Sequence, residues 1–198
     1  MPELVDRIQQ RVKTLPAGLQ AHIQRVQKIA RELALGHGIE QERAALGMLA
    51  HDVARAMADD ELLRRAVELE LPIGTVEREV PLLLHGPVGA ELLAREEGLT
   101  DPDLHGAVFW HTTGHPTLNG LGKVVFLADK LDPQKARIYP YQPLLRQLAL
   151  EDLDRAMLEF LTRETISLAS RGLLVHPMVV ETRNHLLANS ASLEPSAN

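Results

Sequence analysis

The chain has 198 residues, 45% of them hydrophobic, a net charge of −6 and no cysteine. That length suits one domain, or one domain with a helical extension. The missing cysteine excludes disulfides, thiolate metal sites, iron–sulfur clusters and a cysteine nucleophile, and an acidic balance without a Lys/Arg block argues against broad electrostatic binding of nucleic acid. No run approaches the ~20 apolar residues of a membrane span. The start, MPELVDRIQQRVK, lacks an apolar signal core, so the cytoplasm is the expected location. Few aromatic and β-branched residues, against abundant Leu, Ala, Glu and Arg, favour helices over strands.

Residues 3–13 read as a short helix ending near Leu15-Pro16. Residues 19–35 form a strong helix in which His22, Val26, Ile29 and Leu33 share a face, with Gly36 and Gly38 as the stop. The next helix covers 40–57; Ala44, Met48, His51 and Arg55 lie along its inward stripe, and Asp52 sits about 100° round the axis from His51. A charged helix spans 59–69, and LPIGTVEREVP is irregular. His85-Gly86-Pro87 opens a helix that runs to Gly98. Thr100 or Asp101 caps another, which carries Leu104, Val108 and His111 and ends in the segment His111–Pro116. Asn119 caps a helix through Lys130, and 132–143 is a proline-rich loop. A long amphipathic helix covers 144–171, closed by Gly172, and Pro177 opens the last one, to about Leu187. The expected fold is all-α: a core over residues 1–145 that holds the site, C-terminal helices over 146–188 packing on it, and a small, polar, disordered tail over 189–198.

His22 and His51 lie on apolar stripes, Asp52 is the neighbour of His51, and Asp129 sits in VVFLADKL. A buried carboxylate without a partner is costly, so Asp129 demands a cation, a metal or several donors. Imidazole with carboxylate suits a first-row divalent metal, which can acidify water near neutral pH. One buried histidine is as well explained by a hydrogen-bonded core residue; four coinciding side chains are not. His85 and His111 each sit where a helix meets a glycine-containing turn, and exposed backbone N–H groups at such places suit anions. Two roles compete for them, a second metal position and contact with a phosphate, and the second is preferred. Arg55 and Lys135 are candidate phosphate cations, with Arg137 weaker. His37, His105, His115, His176 and His185 read as surface or loop residues. There is no P-loop, no Rossmann glycine pattern, no H-E-x-x-H and no G-x-S-x-G.

The order His22, His51-Asp52, Asp129 resembles that of the HD superfamily of metal-dependent phosphohydrolases, which are all-helical. LAHDVAR (49–55), PLLLHGPVGA (81–90), FWHTTGH (109–115) and KVVFLADKLDPQK (123–135) resemble one branch of it, the YqeK family of symmetrical bis(5'-nucleosyl)-tetraphosphatases, which split diadenosine tetraphosphate into two ADP. The resemblance covers about residues 19–140. It implies His22, His51, Asp52 and Asp129 as ligands of a divalent metal, iron(II) first, with manganese or another first-row metal as the alternative. It implies Arg55, His85, His111, Thr112 and Lys135 as nucleotide contacts. Arg55 stands where the family commonly has Lys, and Lys135 where it has Arg; charge is kept but the two are not interchangeable at a bidentate phosphate site. Val53 replaces a Tyr-type residue, and Lys130-Leu131-Asp132-Pro133 a Tyr-Ile-Glu-Pro-like turn.

The implied reaction places Asp52, His85 and His111 in catalysis, with a small nucleotide as partner, no nucleic acid or membrane, and a homodimer left open. Three other readings stand beside it: another HD-type phosphohydrolase acting on mononucleotides or guanosine polyphosphates, a non-catalytic module that binds a nucleotide, and a purely structural helical protein.

Overall fold

A computed structural model describes residues 2–191, and every regular element in them is helical, as expected from the sequence. The helices are α1 (Pro2–Lys13), α2 (Ala17–Gly36), α3 (Gln41–Ala50), α4 (Asp59–Glu68), α5 (Thr75–Glu79), α6 (His85–Glu97), α7 (Pro102–Phe109), α8 (Gly120–Lys130), α9 (Gln142–Glu151), α10 (Leu153–Ser170) and α11 (Pro177–Ala191). Helix α2 packs on α3 and α8, α7 lies between α6 and α8, and α10 lies against α8, α9 and α11. One apolar cluster runs from Leu4 in α1 to Leu186 in α11 and is anchored by fully buried Ile23, Met48, Leu104, Phe126 and Met157. Each such side chain contributes about 1.5–3 kcal/mol through burial. A smaller cluster under α4 joins Leu62 and Ala66 to Leu84, Val88 and Leu92. Among the described residues, no helix is long and apolar enough to cross a membrane.

Two glycines set close helix approaches. A Cβ on Gly47 would lie 2.6 Å from Val125 Cγ2, so α3 sits directly on α8. A Cβ on Gly86 would lie 2.8 Å from the Phe109 carbonyl oxygen and 3.2 Å from the His111 ring, so the start of α6 abuts the end of α7. Asp101 and Asn119 cap α7 and α8 through the N–H groups of Asp103, Leu104 and Gly122.

Several elements differ from the sequence expectation: the helix expected to carry His111 ends at Phe109, the expected loop over 132–143 contains a 3-10 turn, Pro133–Lys135, and four further segments depart from it. The helix expected over 40–57 stops at Ala50; beyond it the N–H groups of Val53, Arg55 and Met57 bond carbonyls three residues back, at 3.3, 3.0 and 3.1 Å, so the chain tightens into turns. His51 and Asp52 thus follow the helix rather than sit within it. LPIGTVEREVP contains α5 and leads into a 3-10 turn, Pro81–Leu84. The long helix expected over 144–171 is two: Asp152 is extended (φ −156°, ψ 113°) and its carboxylate accepts from the N–H groups of Asp154 and Arg155, so a capping side chain outcompetes the helical ladder. The last helix runs on to Ala191; the expected tail lies, from residue 192, outside the described residues.

Candidate metal centre

Helix α2 supplies His22, the turn after α3 supplies His51 and Asp52, and the end of α8 supplies Asp129, all buried. His22 Nε2 lies 3.1 Å from Asp129 Oδ1, 3.3 Å from His51 Nε2 and 3.7 Å from Asp52 Oδ2. His51 Nε2 lies 3.3 Å from Asp52 Oδ2 and 3.7 Å from Asp129 Oδ1. Ligand atoms about 2.1 Å from a common ion sit roughly 3.0–3.4 Å apart in octahedral or tetrahedral geometry; His22, His51 and Asp129 come close enough to that spacing to hold one divalent metal, and Asp52 Oδ2 lies beside the two histidines. Ring orientation fits too. His51 Nδ1–H donates to the Met48 carbonyl at 2.7 Å, and His22 Nδ1–H to Asp132 Oδ2 at 2.5 Å. Asp132 is itself held by Arg25 through two bonds of 2.8 Å. Each Nε2 lone pair is thereby turned inward, the arrangement a metal-binding imidazole requires.

Asp52 has a second side. Its Oδ1 lies 3.1 Å from His85 Nε2 and 3.6 Å from His111 Nε2, and these two nitrogens are 2.9 Å apart. His85 Nδ1–H donates to Leu82 O at 2.5 Å and His111 Nδ1–H to Val108 O at 2.7 Å. Three histidines therefore share one device, a ring bonded to the carbonyl three residues earlier where a helical segment begins or ends. Without a proton, the two Nε2 atoms would oppose lone pairs; a proton on His85 Nε2 lies between two acceptors, Asp52 Oδ1 and His111 Nε2.

Asp129 is held by two lysines. Its Oδ2 accepts from Lys130 Nζ at 2.8 Å and its Oδ1 from Lys135 Nζ at 2.5 Å. Lys130 Nζ also donates to His111 O at 2.9 Å and lies 4.7 Å from the Phe126 ring centre. Burial opposes charge throughout, yet the partners win for the acids: His51, His111 and His85 hold Asp52 well below the usual carboxylate range, and Lys130, His22 and His51 do so for Asp129. Burial also works against a charged His51, but Asp52 and Asp129 raise it to about 9, so the space between these carboxylates and Nε2 calls for a cation, which is a proton or a metal competing with it. At His111 burial prevails, reinforced by His85 and His51, and takes it down to about 3, so that ring stays neutral.

A cavity of about 540 Å³ opens onto the cluster. Arg55, His85, His111, Thr112 and Lys135 all line it. Arg55 makes no ion pair or hydrogen bond through its guanidinium among the described residues, whereas Lys135 is already engaged with Asp129. Arg137 is exposed and does not line the cavity. His37, His105, His115 and His185 lie outside the cluster, bonded to Ala149 O, Glu91, Thr117 and Asn189 respectively. His176, expected at the surface, is half-buried, pairs with Glu77 and lines the cavity. Sequence reasoning missed Arg25, Lys130 and Asp132 behind the cluster. It also missed the opposite, apolar wall, where Tyr139, Phe160, Leu161 and Leu174 come from the C-terminal third.

The HD domain family model matches residues 19–134. The symmetrical bis(5'-nucleosyl)-tetraphosphatase of Bacillus subtilis is 31% identical over 169 residues, 85% of this chain and 89% of that protein. The protein of the same name from Halalkalibacterium halodurans is 32% identical over 162 residues, 82% of this chain and 85% of its own. A crystal structure from Clostridium acetobutylicum, described as a predicted HD superfamily hydrolase involved in NAD metabolism, superposes with a TM-score of 0.86 at 27% identity, covering 93% of this chain and 97% of that one.

Proposed function

This chain belongs to the HD domain family, and we propose on that footing that it is a metal-dependent hydrolase that splits diadenosine tetraphosphate symmetrically into two ADP. The carrying observation is the grouping of His22 Nε2, His51 Nε2 and Asp129 Oδ1, with Asp52 Oδ2 3.3 Å from His51 Nε2 and 3.7 Å from His22 Nε2, beside a nucleotide-sized cavity. Relatives of that name support the choice of substrate. A divalent metal held by these four atoms, iron(II) in our reading, supplies positive charge to the phosphates and acidifies water.

The chain's own residues do the rest. Asp52 orients the attacking water through the oxygen that faces His85 and His111. Water oxygen bonds to one inner phosphorus, the bridge to the other inner phosphate breaks, and His85 carries a proton to the departing oxygen while the water's proton replaces it. Neutral His111 accepts from His85 and keeps its ring in register. Arg55, Lys135 and Thr112 bind phosphate oxygens; Lys135 does so while remaining beside Asp129. A protein without cysteine suits a reducing cytoplasm, where we place it.

The test is metal analysis of anaerobically purified protein joined to product identification. Two ADP per diadenosine tetraphosphate, lost on chelation and restored by iron(II), is the expected result. Release of ATP with AMP, or of inorganic phosphate from mononucleotides only, would replace this reading with another HD-type phosphohydrolase. Nucleotide binding by metal-replete protein without turnover would make it a regulatory module.

A further inference from the structure

A second cavity, of about 410 Å³, lies against the first. They share a wall: Leu83, Thr112, Thr113 and His176 line both. Thr112 directly follows His111, so this wall begins beside the His85–His111 pair. The two chambers differ in chemistry. The first presents Asp52, Asp129, Arg55 and Lys135. The second has none of the cluster side chains, and its only charged lining groups, Glu77 and His176, are bonded to each other at 2.7 Å. Phosphate placed there would meet the Glu77 carboxylate with no free cation to offset it. The remaining lining is apolar and aromatic, with Pro87, Phe109, Trp110 and Met178, relieved by the hydroxyls of Thr75, Thr112 and Thr113. Such walls suit a flat, uncharged ring with hydrogen-bonding edges, and the volume falls within the range of small-molecule sites.

Resting on the function proposed above, we propose that the second cavity receives the second nucleoside of the dinucleoside tetraphosphate. The polyphosphate then crosses the shared wall at Thr112, with one nucleoside on either side. A substrate with two nucleosides fills both chambers; a single-nucleoside polyphosphate fills only the first. The second chamber is thus a specificity subsite, and symmetrical cleavage follows from placing the wall, and the cluster beside it, at the middle of the substrate.

The experiment compares two ligands with the same four phosphates: diadenosine tetraphosphate and adenosine 5'-tetraphosphate. Met178→Trp and Thr75→Trp each add bulk to the second cavity at residues that do not line the first, and Thr75 is exposed, so at least that variant folds. Both variants should raise KM for diadenosine tetraphosphate tenfold or more, with kcat within twofold. The competitive inhibition constant of adenosine 5'-tetraphosphate should stay within twofold. Parallel weakening of both ligands, or of neither, overturns the subsite. Trp110, the sole tryptophan, lines the second cavity and not the first. In wild-type protein its emission should change with the β,γ-methylene analogue of diadenosine tetraphosphate and not with inorganic tripolyphosphate; an unchanged emission at saturation also overturns the subsite. Should wild-type protein release no ADP from diadenosine tetraphosphate, the functional reading fails by itself, and the fluorescence titration still decides whether a nucleoside enters this chamber.

Discussion

The two oxygens of Asp52 look onto different neighbourhoods. Oδ2 faces His22 and His51, whose Nε2 atoms also approach Asp129 Oδ1, so that two carboxylates flank two imidazoles, braced from behind by Asp132 and Arg25. Among the described residues, Oδ1 faces His85 and His111, whose rings are fixed by backbone carbonyls and which line the cavity. The first side carries enough negative charge to hold a dication; the second carries one carboxylate oxygen and rings that share a proton. Spacing alone does not separate them, since His51, Asp52 and His111 also lie within ligating reach of one another. Charge and bracing do.

Asp52→Ala removes the residue common to both sides and should have the largest effect, a loss of roughly 10³-fold or more in turnover, equivalent to about 4 kcal/mol. Metal content should fall with it. Near-wild-type hydrolysis at full metal occupancy would end the assignment. His111→Ala should break only the second side: turnover falls by about 10²-fold, while one metal per chain is retained in elemental analysis. If His111→Ala instead halves a metal content of two per chain, the second side is a metal position and the comparison collapses.

The distinction also explains how much of the site could be read from the sequence. His22, His51, Asp52 and Asp129 were legible because a charged or polar residue on an apolar stripe needs a partner, and four such residues demand a common one. Arg25 and Asp132 were not, because their pairing joins α2 to the turn after α8 across more than a hundred residues, and neither breaks an apolar pattern. The Nδ1 clamps of His51, His85 and His111 depend on where helical hydrogen bonding tightens or stops, and a periodicity that runs on to Arg55 conceals the stop at Ala50. Asp152 was hidden likewise, a cap inside a continuous amphipathic pattern. The all-helical class was legible from composition and spacing; the apolar wall that the C-terminal helices give the cavity was not.

Asp132→Asn tests the brace on the first side. Removing a partner of a ligating imidazole costs about 10–100-fold in metal affinity, so the metal midpoint in a chelator competition should move by that factor while kcat at saturating metal changes far less. The sign of its pH dependence follows from the carboxyl itself. Burial opposes its charge, but Arg25 and His22 lower it to about 2 in the folded chain. Its stabilising contribution is therefore complete above the unfolded value near 3.9 and disappears as pH falls through about 2. In metal-free protein, the Tm difference between wild type and Asp132→Asn should narrow between pH 4 and pH 2; a constant difference would mean the brace is not electrostatic.

The second side has no side-chain brace to remove, so its weak point is the backbone contact that seats it. Gly86 is that point: an added Cβ would lie 2.8 Å from the Phe109 carbonyl oxygen, a backbone atom that moves only with its helix, and 3.2 Å from the ring of His111. Gly86→Ala must therefore part the start of α6 from the end of α7, at a cost of about 1–3 kcal/mol typical of overpacking. His85 and His111 ride on those two ends, so their 2.9 Å contact lengthens, while α2, the turn after α3 and α8, which carry the candidate ligands His22, His51, Asp52 and Asp129, supply none of the atoms nearest the added methyl. Gly86→Ala should lower the denaturation midpoint, reduce kcat by roughly tenfold or less, and leave the metal midpoint of the chelator competition where it is in wild type. That pattern is the inverse of the one for Asp132→Asn. If Gly86→Ala weakens metal binding as strongly as Asp132→Asn does, the two sides of Asp52 are one coupled site rather than a metal cage beside a proton-carrying pair.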